Sequence, residues 1–165
     1  MTKKRRLPCE IYLINDSMED FEFPGDRDYD EILDSVESII SDARIGIPSY
    51  ENPQYACITQ SGEVLGVVTG GIAGDHAIQP DDGMPAYDYR FSVAVSPKGR
   101  RQGIARSLVK EITRHAKDYG DYSDSYIYLE AWVVNPHMAD LLDSMGFEGG
   151  GSEWTPDDPM MGKYI

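Results

Sequence analysis

The sequence has few cysteines, no long hydrophobic run and a shortage of positive charge. Cys9 and Cys57 are its only cysteines, too few for a disulfide framework and wrongly spaced for a zinc knuckle. No apolar run approaches the roughly 18 residues of a membrane span. The basic start, Met1 to Arg6, is not followed by the apolar stretch of a secretory signal. We therefore expect a cytoplasmic protein.

The balance of charge is strongly acidic. Lysine and arginine number 15 against 29 aspartates and glutamates, a formal net charge of −14. Such a surface repels phosphate backbones and anionic lipid, and it attracts cations. We therefore expect neither nucleic acid nor a membrane as partner, and we expect a cationic molecule to be attracted.

The size and composition suit one ordinary soluble domain. The chain has 165 residues, of which 41% are hydrophobic and 27% charged, enough to bury a core without staples. It contains no internal repeat and no low-complexity linker. We therefore predict a single domain over residues 1–165, with residues 1–8 as a flexible basic tail.

Alternating and β-branched stretches predict strands, and apolar residues at helical spacing predict three helices between them. Strands are predicted at 10–14, 55–60, 64–72, 87–95, 126–134, 147–154 and 160–165. The order β-α-β-β-β-α-β-α-β-β indicates a mixed α/β (α+β) fold rather than a doubly wound sheet.

The helices carry recognisable start and stop signals. Asp28 or Asp30 can cap the first helix, whose apolar positions run from residue 32 to 43. The second begins near residue 104 and is predicted to stop at Gly120. Asn135 and Pro136 provide the cap and first residue of the third, and Gly146 ends it. We expect this third helix to bury four apolar side chains, those of Met138, Leu141, Leu142 and Met145.

One short segment concentrates the positive charge of the chain. Four of the 15 basic residues lie within nine positions, and two glycines accompany them: Lys98, Gly99, Arg100, Arg101, Gly103 and Arg106. The free amides at the start of a helix attract anions, and glycine lets a ligand approach the backbone closely. Neither common nucleotide-binding motif, G-x-x-x-x-G-K-[ST] or G-x-G-x-x-G, is present. From the residues alone, a solvated turn and a phosphate-binding turn both remain open.

This segment resembles the acyl-CoA-binding signature of the GNAT N-acetyltransferase superfamily, [QR]-x-x-G-x-[GA]. Residues 93–105 read VAVSPKGRRQGIA, with Arg100 to Ala105 at the centre of the motif. A second block fits the family's next strand and helix, with LEAWVVN at 129–135 and MGF at 145–147. The resemblance covers roughly residues 55–165.

The resemblance implies a mostly antiparallel sheet flanked by helices, with a splay between the strands at 87–95 and 126–134. Acetyl-CoA would bind there as co-substrate, without a metal. Its pantetheine arm would pair with the backbone of Val93 and Val95, and amides near the helix start would hold its pyrophosphate. Asn135 would contact the cofactor arm and could cap its helix as well. The implied cofactor-binding residues are Val93, Val95, Arg100, Arg101, Gln102, Gly103, Ile104, Ala105, Arg106 and Asn135.

For catalysis the resemblance points to two groups. An amine must lose a proton before it can attack, because its pKa lies near 10.4. Glu130 matches the family's strand glutamate and is the candidate proton acceptor, although an ion pair or a solvent-facing role is equally open. The backbone N–H of Val95 is the candidate donor to the developing oxyanion.

The general acid departs from the family's pattern. The family often has a tyrosine where this chain has Leu142, and leucine cannot donate a proton. Tyr126 or Tyr128 could substitute, but among eleven tyrosines packing is the simpler role for either one. The three histidines are scattered, without metal-ligand spacing.

The acceptor is suggested only by charge. Acidic residues precede or open the first helix and lie in the last hairpin, namely Glu19, Asp20, Glu22, Asp26, Asp28, Asp30, Asp157 and Asp158. A primary amine on a small cationic molecule, a peptide or a protein would be attracted to them. The alternative is an acyl-CoA-binding regulatory or interaction module that has lost catalysis. Pairing of two copies through edge strands is a further possibility that the resemblance raises.

Overall fold

The computed structural model describes residues 6–43, 53–133, 135–149 and 159–165. Within these ranges the chain forms three α-helices and seven strands in the predicted order. They are β1 (Cys9–Leu13), α1 (Tyr29–Ala43), β2 (Gln54–Thr59), β3 (Val64–Asp75), β4 (Ala86–Val95), α2 (Ile104–Ser123), β5 (Tyr126–Trp132), α3 (Pro136–Ser144), β6 (Glu148–Gly149) and β7 (Met160–Tyr164). Short 3₁₀ turns occupy Asp16–Met18, Pro24–Asp26 and Pro97–Gly99.

The strands form a seven-stranded sheet in the order β1-β2-β3-β4-β5-β7-β6. The pairs β1–β2, β2–β3, β5–β7 and β6–β7 are antiparallel, and β4–β5 is parallel. The predicted mixed, mostly antiparallel sheet with helices is therefore confirmed. No helix in the described part of the chain is long and apolar enough to cross a membrane.

The chain groups into two compact units, Met1–Thr69 with Val93–Glu111, and Gly70–Ser92 with Ile112–Ile165. The prediction of one domain stays a prediction. In the first unit, one face of α1 is buried. Its buried residues recur at helical spacing and are Tyr29, Ile32, Val36 and Ile40. These side chains share a core with Ala56, Ile58 and Val67 on β2 and β3. The Asp28 carboxylate accepts from the Glu31 N–H at 2.9 Å, so Asp28 caps α1.

The opposite face of β2 and β3 in this unit meets the start of α2. Cys57 and Gly66 are register partners there, and a Cβ at Gly66 would lie 2.9 Å from Ile104. Cys57 is fully buried, as expected for a small apolar residue. However, Cys57 also forms a disulfide with Cys9. We did not expect this bond, because two cysteines are too few for a disulfide framework.

In the second unit, α2 packs on β3, β4 and β5 through close contacts at glycine. A Cβ at Gly70 would lie 3.1 Å from Ile112 of α2 and 2.8 Å from the Tyr89 ring, and one at Gly120 would lie 2.8 Å from Ile127. The prediction that α2 stops at Gly120 is therefore wrong. The helix continues to Ser123, and the residue after it, Asp124, has the positive φ (48°) that commonly ends a helix. Gly120 instead leaves room for Ile127.

The predicted ends of α3 are confirmed, but only part of its predicted buried face is. Asn135 accepts from the His137 N–H at 2.8 Å, and Pro136 is the first helical residue. Of the four side chains expected to be buried, Leu142 is fully buried, while Met138, Leu141 and Met145 are half-buried. The strand predicted at 126–134 ends at Trp132. Three parts of the predictions lie outside the described residues. They are the basic tail at residues 1–5, Val134 at the end of one predicted strand, and residues 150–158, which include the end of the strand predicted at 147–154 and Asp157–Asp158.

Candidate active site

The segment that joins β4 to α2 holds an unusual backbone conformation. After the Pro97–Gly99 turn, Arg101 has φ 62° and Gly103 has φ 80°. A positive φ costs a residue with a side chain about 1 kcal/mol or more, so this turn is maintained against local strain at Arg101. The first helical bond runs from the Ser107 N–H to the Gly103 carbonyl at 3.1 Å. The amides of the first turn therefore have no acceptor within α2.

The side chains of this turn divide between solvent and protein. Arg100 and Arg101 are exposed, and Arg106 is half-buried. Lys98 donates to the Glu63 carboxylate at 3.0 Å, so this cation is already paired. The Gln102 side-chain amide donates to the Lys98 carbonyl at 2.7 Å and stiffens the turn. Positive charge next to the amides that begin a helix is an arrangement that binds anions.

Two further features of the same unit adjoin the turn. Gly99 is buried, and a Cβ there would lie 2.9 Å from the Leu65 carbonyl oxygen, so the backbone is closely packed. Among the described residues, the Ser96 hydroxyl is buried without a hydrogen-bond partner. Of the remaining predicted ligands, Ile104 is buried in the core and Ala105 is half-buried. These two could serve only through their backbone amides.

The parallel pairing of β4 with β5 ends before β4 does. The register runs from Ala86 opposite Tyr126 to Phe91 opposite Ala131, whereas β4 continues to Val95. Val93 and Val95 are half-buried and alternate with the buried Ala94. Strand residues with unmatched amides and carbonyls can accept an extended ligand as an added strand. The end of this register is the feature that the predicted splay requires.

Glu130 lies next to the end of that pairing and is held by Arg90. Its side chain is mostly buried, with the residue 9% exposed. Arg90 Nε and Nη2 both donate to Glu130 Oε1, at 3.0 and 2.6 Å. The two residues are register partners across β4 and β5. The ion-pair interpretation left open by the sequence is therefore present, and Oε2 accepts no hydrogen bond among the described residues.

Asn135 and Leu142 take the positions expected of them on α3. Asn135 is exposed, and its side-chain oxygen caps the helix, so only its NH₂ group is left to meet a ligand. Leu142 is 0% exposed and belongs to the core. The position that the resemblance assigns to a general acid therefore contributes only packing.

A second cluster of polar side chains lies on the same face of the second unit and was not predicted from the sequence. His76 Nδ1 lies 2.6 Å from Asp88 Oδ1, and both side chains are mostly buried. The His76 ring stacks on Tyr128 with centroids 4.7 Å apart. Asp88 is the register partner of Tyr128, as Arg90 is of Glu130. No local pattern signals this cluster, because it depends on the register of two strands that are about 40 residues apart in sequence.

The acidic residues near the start of α1 are exposed, namely Glu19, Asp20, Glu22, Asp26, Asp28 and Asp30. Asp28 is engaged as the helix cap. The other residues offer a negative surface without a defined binding geometry. No group of three or more His, Cys, Asp or Glu side chains that could hold a metal occurs in the described ranges.

Comparison with known proteins agrees with this arrangement. The family model described as acetyltransferase (GNAT) family matches residues 12–147. The Mus musculus protein "Probable N-acetyltransferase family 8 member 5" is 35% identical over 86 residues, which are 52% of this chain and 36% of that protein. The chain thus matches little more than a third of the length of that relative.

Two solved structures share the fold at low identity. Arabidopsis thaliana NAA60 in complex with acetyl-CoA is 17% identical, with a TM-score of 0.63 and coverage of 94% of this chain and 97% of that one. AtaT complexed with acetyl-methionyl-tRNAfMet is 13% identical, with a TM-score of 0.57 and coverage of 93% of each chain. Since the family model spans most of the sequence, the chain belongs to the GNAT family of acetyltransferases, acyl-CoA-dependent enzymes that use acetyl-CoA as co-substrate.

Proposed function

We propose that the protein transfers an acetyl group from acetyl-CoA to a primary amine, by direct attack of the amine within a ternary complex. The acceptor is a small cationic molecule, or an amine of a peptide or protein. The observation that carries this proposal is the strained turn before α2, with positive φ at Arg101 and Gly103 and helix-start amides without an acceptor in the helix. A turn held against strain is typical of a binding function.

The turn suits the pyrophosphate of coenzyme A. The amides from Arg101 to Arg106 would donate to its oxygens, and the exposed Arg100 and Arg101 side chains would balance its charge. The backbone of Val93 and Val95 would pair with the pantetheine arm, beyond the point where β4 leaves β5. The unpartnered Ser96 hydroxyl is a polar group that such a ligand could satisfy. The NH₂ group of Asn135 would contact the arm while its oxygen keeps the cap.

The chemistry needs a proton acceptor and an oxyanion donor. Glu130 Oε2 would accept the proton of the amine, directly or through water, while Arg90 holds Oε1. The Val95 N–H would donate to the carbonyl oxygen as negative charge develops on it. Removal of one such donor slows related reactions by about 10²–10³-fold.

The charge of the protein favours a cationic acceptor, as the sequence predicts. The net charge of −14 attracts polyamines, aminoglycoside-like amines and basic peptides. The solved AtaT complex contains an acylated tRNA, which makes an aminoacyl-tRNA a competing acceptor. The same net charge opposes an RNA partner, because each phosphate contact requires a compensating cation.

A second candidate is an acyl-CoA-binding module without catalysis. The buried Leu142, at the position expected for a general acid, favours it. A thiolate leaves readily, because a thiol pKa lies near 8.5. Loss of general-acid catalysis typically costs about 10²–10⁴-fold, so a missing acid slows a transferase without abolishing it.

The test is release of free thiol from acetyl-CoA in the presence of a polyamine, an aminoglycoside and a basic peptide. We expect release to depend on at least one amine and to fall by about 10²–10⁴-fold in Glu130→Gln. Glu37→Gln, which changes an exposed glutamate of α1, is the matched control. Binding of coenzyme A without release by any amine would favour the non-catalytic module. Absence of binding in calorimetry would reject both candidates.

A further inference from the structure

A proton donated to the departing sulfur would speed the transfer, and α3 has no source of one. Leu142, at the position the resemblance assigns to tyrosine, is fully buried and carries no proton donor. A donor, if the protein has one, must therefore come from another element near the end of the β4–β5 pairing. Glu130 is next to that end, and it is already assigned to the proton of the amine.

Tyr128 lies two residues before Glu130 on the same face of β5, and its ring leans toward the Glu130 row. A Cβ added at Gly162 would lie 2.6 Å from Cε1, Cζ and the hydroxyl oxygen of Tyr128. Gly162 is the register partner of Glu130 across β5 and β7. The phenol therefore occupies the space that a glycine leaves open beside Glu130, and its hydroxyl is carried toward the end of the pairing.

Aromatic neighbours fix the ring in this position. His76 stacks on it with centroids 4.7 Å apart, and Tyr164 meets it edge-on at 5.1 Å. His76 is itself held by Asp88 at 2.6 Å. In the described part of the chain the Tyr128 hydroxyl makes no hydrogen bond, so its proton is available to a ligand. A side chain that acts on a bound molecule needs its rotamer held by packing, and this ring meets that requirement.

The surroundings keep the hydroxyl protonated. Burial raises the pKa of Tyr128 above its usual value, and the nearby acidic groups raise it further. Those groups come from the neighbouring strands β4, β5, β6 and β7, and they are Glu130, Tyr164, Asp88 and Glu148. The other charged or titratable neighbours on this face are His76, which pairs with Asp88, and Arg90, which pairs with Glu130. At neutral pH the phenol is therefore a donor and not a phenolate.

We propose that Tyr128 is the general acid of the transfer and gives its hydroxyl proton to the sulfur of coenzyme A. This inference rests on the proposed function. The amine nitrogen forms its bond to the acetyl carbon and loses one proton to Glu130 or to water. The carbon–sulfur bond breaks, its electron pair stays on sulfur, and sulfur takes the proton of Tyr128. The phenolate then regains a proton from Glu130 or from solvent, so the net products are the N-acetyl amine and free CoA thiol.

The first test compares Tyr128→Phe with Tyr126→Phe. Phenylalanine keeps the ring over Gly162 and removes only the hydroxyl. Tyr126 lies on the same face of the same strand, but its hydroxyl is bound to Asp82 at 2.5 Å. We expect kcat with acetyl-CoA to fall by about 10²–10⁴-fold in Tyr128→Phe and to stay unchanged in Tyr126→Phe. Coenzyme A affinity and the melting temperature should be retained in both variants.

The second test varies the leaving group, because a purely structural role would not respond to it. Acetyl thioesters of an alkyl thiol and of a more acidic aryl thiol serve as truncated donors. We expect the defect of Tyr128→Phe to persist with the alkyl thioester and to vanish with the aryl thioester, whose thiolate needs no acid. Equal defects with both donors, or no defect with acetyl-CoA, would overturn the assignment.

A measurement on the unsubstituted protein tests the proposal even if Tyr128→Phe does not fold. With a general acid present, its rate should depend only weakly on the acidity of the leaving thiol. A steep dependence would argue against Tyr128 as a donor. If the unsubstituted protein releases no thiol with any amine, the proposed function itself fails. That outcome is distinct from an active protein that is indifferent to loss of the Tyr128 hydroxyl.

Discussion

Gly162→Ala should slow the reaction by displacing the Tyr128 hydroxyl without removing it. A Cβ at this position would lie 2.6 Å from three atoms of the phenol, whereas carbon atoms in contact prefer about 3.5–4.0 Å. The ring must therefore move by about 1 Å, and the stacked His76 ring resists that movement. A misplacement of about 1 Å can cost about 10²-fold in rate. We expect kcat to fall by that factor while the KM for acetyl-CoA stays unchanged.

The assay is thiol release at a saturating amine concentration, with Gly162→Ala, Tyr128→Phe and the double variant measured together. If the alanine acts through the hydroxyl, its effect disappears once the hydroxyl is gone, so the double variant should match Tyr128→Phe. Overpacking should also destabilise the fold by about 1–3 kcal/mol, a fall in melting temperature of about 2–12 °C. Multiplicative losses in the double variant, or full activity in Gly162→Ala, would refute the reasoning.

Three further predictions concern the turn, the third helix and the disulfide. Gly103→Ala forces a side chain into φ 80° and should cost about 1 kcal/mol while it raises the KM for acetyl-CoA at constant kcat. Asn135→Ala should lose about 1 kcal/mol of stability, because the helix cap is lost. Asn135→Ser keeps the cap. A lower CoA affinity in the serine variant would therefore report the contact with the cofactor arm alone. Reduction of Cys9–Cys57, whose cysteines are 48 residues apart, should cost about 4 kcal/mol. An unchanged urea midpoint after reduction would contradict that figure.

Elements with strong local signals could be predicted from the sequence. The helical spacing of apolar residues identified α1, and Asp28 caps it. Asn135 and Pro136 marked the start of α3. Only three residues separate the strands predicted at 55–60 and 64–72, and one of them, Gly62, turns the hairpin of β2 and β3 with φ 86°. In each case the physical cause acts within a few residues, so a single sequence contains it.

The errors arise where packing between distant segments overrides a local preference. Gly120 is typical of a helix stop, yet α2 continues to Ser123 and the positive φ is found at Asp124. Glycine is needed at residue 120 because Ile127 packs where a side chain would lie. The bond between Cys9 and Cys57 depends on the register of β1 against β2. Cysteine count alone carries no such information.

The candidate site shows the same division. The turn before α2 could be predicted, because its glycines and bases are adjacent in sequence. The partner of Glu130 could not, because Arg90 meets it only through the register of a parallel pair of strands. His76 and Asp88 lie 12 residues apart, joined by an irregular loop, and no periodic pattern relates them.

Leu142→Tyr would restore the residue that the resemblance expects, and we predict that it damages the protein instead of activating it. Leu142 is 0% exposed, so a tyrosine must overpack the core at a cost of about 1–3 kcal/mol. A hydroxyl buried there without a partner would cost about 1–3 kcal/mol more. We expect a lower melting temperature and no gain in kcat, whereas Leu141→Tyr, at the half-buried neighbouring residue, should be tolerated. A stable Leu142→Tyr variant with a raised kcat would mean that no other residue already supplies the proton, and would count against Tyr128 as the general acid.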